Sequence, residues 1–145
     1  MTTGQQLDLI DRLRAQAFVD KPVRLGRHSS GPGYHLVRLG GTRDFWDDDG
    51  SRRAEAAEQT GAEYGALTQA VTGRWGQPQV FSLDSLTHRG LAEEEIPQPW
   101  RELSHTTDHL YLWRAGDRWL VVCVARWAEE DPYLLMAAVT VVDPP

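Results

Sequence analysis

The stretch LYLWRAGDRWLVVCVARWAEEDPYLLMAAVTVV, from Leu110 to Val142, decides the fold. It reads as three strands, Leu110 to Arg114, Arg118 to Trp127 and Tyr133 to Val142, rich in the β-branched and aromatic residues that suit a pleated surface. Ala115-Gly116-Asp117 supplies a tight hairpin between the first two. Side chains on a strand alternate between faces. The middle strand therefore sets Trp119, Val121, Cys123, Ala125 and Trp127 on one face and Leu120, Val122 and Val124 on the other. Both faces are apolar, and the third strand is equally so through Met136. Such a sheet has to be covered on both sides. One side can take helices; the other needs the long middle segment of the chain or a second protein chain, so a homodimer through that face is one expectation.

Working back toward the N-terminus, Val80, Phe81 and Leu83 mark another short strand, preceded by a helix over Ser51 to Trp75. Tyr64, Leu67, Val71 and Trp75 make the apolar stripe of that helix. Gly76 and Pro78 end it in the usual order, glycine cap before proline. Val23 to Arg27 and Tyr34 to Leu39 read as strands joined by the turn-forming His28-Ser29-Ser30-Gly31-Pro32-Gly33. Gln5 to Val19 repeats Leu7, Ile10, Leu13, Ala17 and Phe18 at helical spacing, with Thr2 or Thr3 as cap and Pro22 as stop. Between Asp84 and Thr107 the periodicity dissolves into a long connection, with a helical turn at Arg101 to Leu103. The expectation is one α+β domain over residues 1–145 in the order α-β-β-α-β-β-β-β. It has an antiparallel sheet of about five or six strands and two helices on one face.

A chain of 145 residues with 41% hydrophobic and 25% charged residues has the composition of a globular protein. No stretch approaches the ~18 apolar residues of a membrane helix, so no membrane partner is expected. The opening MTTGQQLDLIDRLRA lacks a secretory signal pattern, which makes the expected location cytoplasmic. The single cysteine, Cys123, cannot form an internal disulfide or a cysteine-rich zinc framework. A net charge of −6 argues against nucleic acid as a general partner.

Charge is unevenly spread. Residues 21–43 hold Lys21, Arg24, Arg27, Arg38 and Arg43 and no acid. This hairpin suits an anionic ligand or an acidic partner surface, or is a solvated face balanced by Glu93 to Glu95. Asp44, Asp47, Asp48 and Asp49 precede Gly50, but an EF-hand alignment on that glycine puts Phe45 and Ala56 at ligand positions. Their better reading is as acids preceding a helix N-terminus. His105 and His109 stand four apart with Asp108 between them, the spacing by which a helix presents two metal ligands. Thr106 and Thr107 favour strand there, and no third ligand is evident, so no metal or other cofactor is expected. No nucleophile elbow surrounds Ser29 or Ser30, the glycines form no P-loop, and Cys123 sits mid-strand among valines. An enzyme is therefore the lesser expectation.

Trp100 falls between a proline-rich run and acidic residues and is expected to be partly exposed. Tryptophan and arginine are enriched in binding hot spots. The expected partner-binding residues are Trp100, Arg101, Trp127, Arg24, Arg27 and Arg38. The alternative, a small-molecule binder or enzyme, places a pocket between the sheet and the 85–108 loop, lined by His35, His105, Asp108 and His109.

The runs EIPQPWREL, HLYLWRAGDRWLVVCVARW and DPYLLMAAVT resemble a family of small proteins from high-GC actinobacteria. The resemblance covers about the C-terminal half, implies no activity and transfers no functional residue. A compact, acidic, cysteine-poor α+β domain is also similar in architecture to immunity proteins that neutralise bacterial toxins, a likeness that does not fix function. The leading expectation is a non-catalytic protein-binding domain, of immunity or accessory type, whose partner is another protein or a second copy of itself.

Overall fold

The computed structural model describes residues 2–41, 51–126 and 133–145. Trp127 and the acids Asp44, Asp47, Asp48 and Asp49 lie outside the described residues. The elements run α1 (Thr3–Ala15), β1 (Val23–Leu25), β2 (His28–Gly31), β3 (Tyr34–Gly41), α2 (Ser51–Trp75), β4 (Gln79–Ser82), α3 (Asp84–Leu91), α4 (Trp100–Thr106), β5 (His109–Ala115), β6 (Arg118–Ala125) and β7 (Leu134–Thr140). The strands form one sheet of seven in the order β1-β2-β3-β7-β6-β5-β4, with every neighbour antiparallel. The α+β class and the antiparallel sheet agree with the sequence reading.

Two elements differ from expectation. His28 to Gly31 is a strand and not a turn, because two tight turns flank it. Gly26 takes a φ of 58° in the first and Gly33 a φ of 82° in the second, conformations that cost glycine no steric penalty. The 85–108 segment holds two short helices instead of a loop. Each has too few apolar anchors to show a helical period: Leu86 is buried on α3, Trp100 and Leu103 on α4.

α1 starts on a capping box. The Thr2 hydroxyl accepts from the Gln5 amide at 3.1 Å, and the Gln5 side chain accepts from the Thr2 amide at 2.8 Å. Its other end is held by Arg118 of β6, which donates to the Leu13 and Gln16 carbonyls at 2.9 and 2.8 Å. A cation there also complements the helix dipole.

The alternation along β6 sorts two cores. On one face Leu120 and Val122 join Val37, Leu135, Ala137 and Val139 under Ile10 and Leu13 of α1 and Leu67 and Val71 of α2. On the other, Val121 and Cys123 join Leu36, Leu110 and Ala138 under Leu86, Ile96, Trp100 and Leu103. The second sheet face, expected to need a loop or a second chain, is thus covered by the chain's own α3 and α4 layer. Among the described residues, no helix is long and apolar enough to cross a membrane.

Candidate functional site

The three basic residues singled out on the first hairpins meet at one place. Pairing of β1 with β2 and of β2 with β3 sets Arg24 opposite Ser29, and Ser29 opposite Leu36, on the α4 side of the sheet. Arg27 lies in the turn between β1 and β2, and its carbonyl accepts from the Arg38 amide at 3.0 Å. Arg38 pairs with Met136 where a bulge shifts the β3–β7 register between Arg38 and Gly40. Bulges of this kind bend a strand and re-aim its side chains. A hollow of about 130 Å³ results. Leu36, Leu134 and Met136 form its apolar floor, Glu102 and Thr106 of α4 one wall, and Arg24, Arg27, His28 and Arg38 its basic side.

The charges are unequal. Arg24 is spent on Glu102 at 2.6 Å. Arg27 and Arg38 are exposed and, among the described residues, pair with no carboxylate. The hollow therefore presents two unbalanced guanidinium groups beside hydrocarbon. Guanidinium is planar and weakly hydrated, and it matches a carboxylate with two parallel hydrogen bonds. Val23 and Leu25 of the edge strand β1, exposed to 43% and 72%, alternate with Arg24 and belong to the opposite face of the sheet.

Trp100 is a correction. Its side chain is fully buried, its Nε1 donates to the Val142 carbonyl at 3.0 Å, and its ring meets Phe81 edge-on. The apolar anchor of a buried helix layer cannot present itself to a partner without unfolding that layer. Arg101 does not line the hollow of Arg24, Arg27 and Arg38. With His105 it lines a wider, open hollow of about 580 Å³ between α3 and α4, beside Glu93 to Glu95. Within that acidic run Glu94 takes Arg89 through two hydrogen bonds of 2.9 and 2.7 Å, which hold its carboxyl below the usual range.

The four residues of the alternative pocket do not converge. His35 faces the opposite side of the sheet, toward α1, stacked on Phe18 with ring centroids 4.9 Å apart. Its Nε2 reaches the Gln16 carbonyl at 3.4 Å, so that nitrogen carries the proton, and Nδ1 then accepts from the Ser30 hydroxyl at 2.7 Å. Burial, chiefly, holds the imidazole below its ordinary pKa. Both ring nitrogens are thereby committed to holding secondary structure together. His105 ends α4 and His109 begins β5, so the helix that would align their rings is broken at Thr107, which is extended. Asp108 and His109 are exposed and bonded to each other at 2.8 Å, and that bond depresses the Asp108 carboxyl. Cys123 is fully buried, which pushes its thiol up to about 12 and removes it as a nucleophile.

The charge run pointed to the basic side of the hollow, whereas nothing local pointed to its floor and wall. Leu134 and Met136 lie about a hundred residues from Arg38, and only the strand order β2-β3-β7 places them together. No protein-family model, curated protein or solved structure matches this chain.

Proposed function

We propose that this chain is a non-catalytic protein-binding domain that meets an acidic partner through the basic end of its sheet. One observation carries the reading: Arg24, Arg27 and Arg38, from two strands and a turn, line one hollow together with the apolar Leu36, Leu134 and Met136. Cations set around the hydrocarbon of such a hollow form an interface in which charge steers the encounter and apolar contact holds it. An accessory or immunity-type role, exerted by occupying another protein's surface, fits this arrangement. The partner is taken to be a different protein, since both apolar faces of the central strands are already covered from within the chain.

The test is affinity capture from native cell extract with three baits: the wild type, the Arg27→Glu/Arg38→Glu double variant and Arg12→Glu, the last on an exposed site of α1. An acidic protein retained by the wild type and Arg12→Glu but lost by the double variant is the expected result. A set of captured proteins indifferent to the double reversal would overturn the reading.

A further inference from the structure

We infer that the hollow beside Arg27 and Arg38 is the seat for a single glutamate side chain of the partner. This rests on the binding-domain reading above and adds the chemistry of the contact. Size comes first. At about 130 Å³ the hollow falls well below the ~300–1,000 Å³ of drug-sized ligand sites and suits one side chain. Its lining then says which. Leu36, Leu134 and Met136 offer hydrocarbon to a short aliphatic stem, and the exposed Arg27 and Arg38 that line the same hollow offer guanidinium to a carboxylate at the end of that stem. The hollow already shows the pairing once: Glu102 holds Arg24 at 2.6 Å along its wall. Arg27 and Arg38 are the two cations that this internal pair leaves over.

A polyanion is disfavoured. The whole chain carries −6 and repels a strand of phosphates, whereas one carboxylate brings a single charge to the hollow. An aspartate is shorter by one methylene and reaches less of the floor.

Three probes decide it by NMR titration of the full chain, following arginine side-chain N–H signals. They are the pentapeptide acetyl-Ala-Leu-Glu-Leu-Ala-amide, its glutamine analogue and the oligonucleotide hexathymidylate. The glutamate peptide is expected to shift the Arg27 and Arg38 signals saturably, with the glutamine peptide about tenfold weaker or worse. Arg27→Gln and Arg38→Gln should each weaken it by a similar factor. Arg38→Lys, which keeps the charge and loses the fork, should fall between, and Arg12→Gln should change nothing. Arg27 and Arg38 are exposed, so these variants retain the fold. Equal binding of the two peptides, shifts confined to other arginines, or tighter oligonucleotide binding at Arg27 and Arg38 would each overturn the inference. Arginine-dependent capture without a carboxylate-specific shift would remove this inference and leave the broader reading standing. Carboxylate binding without arginine-dependent capture would do the reverse.

Discussion

Trp100 ties α4 to both the sheet and the C-terminal segment. Its ring is fully buried between Phe81 and the α4 side of the sheet, and its nitrogen ties α4 to the C-terminal segment at Val142. Trp100→Ala is expected to cost about 3–5 kcal/mol, the range for emptying a buried aromatic site. That is a large share of a total stability of roughly 5–15 kcal/mol. Trp100→Phe keeps most of the hydrocarbon and loses the donor, for about 1–3 kcal/mol if the Val142 carbonyl stays buried. Urea unfolding checks both: the midpoint should fall in that order with the slope unchanged. A loss below about 1 kcal/mol for the alanine variant would mean that α4 packs less firmly than its burial implies. The other described tryptophans also have structural ties, Trp113 to the Gly76 carbonyl, Trp119 to Asp143 and Trp75 beneath Arg14.

Between elements, the junction of α1 with the first hairpins depends on one imidazole. His35 joins the Gln16 carbonyl at the exit of α1 to Ser30 of β2, and Arg118 reaches the same carbonyl from β6. Burial lowers the folded-state pKa of His35, reinforced by the charges of Arg118 and His28 and opposed by backbone hydrogen bonds. The unfolded chain therefore binds the proton more readily than the folded one. Stability from this group is fully present above its ordinary value of 6.5 and is lost as pH falls below it. Protonation would also place a proton on Nδ1, the nitrogen that accepts from Ser30. Two measurements check the sign. The His35 ring should titrate by NMR with a midpoint below 6.5, and wild-type stability should fall more steeply with acidification than that of His35→Gln. A midpoint above that value would show the backbone bonds prevailing over burial.

At the scale of the molecule, coverage of the sheet governs association. α1 and α2 close one face and the α3–α4 layer the other, so the apolar rows of β5, β6 and β7 are satisfied within one chain. Among the described residues the large exposed apolar side chains are dispersed: Val23 and Leu25 sit on β1 at one edge of the sheet, Val80 on β4 at the opposite edge, Leu91 at the end of α3 and Val141 just after β7. Scattered residues of this kind do not form the contiguous patch that marks a stable self-association surface. Sedimentation of the isolated chain should therefore show a monomer at micromolar concentration. A dimer that survives dilution would locate a self-contact outside the two sheet faces and would favour a second copy as the partner.

Much of this architecture is legible residue by residue. Strict alternation along Arg118 to Ala125 sorts its side chains onto the two faces where the cores form, and the stripe of Tyr64, Leu67 and Val71 marks α2. These signals are local, because strand pleat and helix period are set by neighbours a few positions away. The basic run between Lys21 and Arg43 was visible for the same reason. α3 and α4 were not, since helices of eight and seven residues with one or two apolar anchors acquire their stability from the sheet they cover. The burial of Trp100, the separation of His35 from His105 and His109, and the apolar floor under Arg38 depended on strand order and on which face each element covers. By itself the sequence determined every described strand except β2, the long helix and the sign of charge on the first hairpins. Only the tertiary structure decided which of those residues meet, because contacts between β3, β7 and α4 join segments far apart in the chain and no local pattern encodes them.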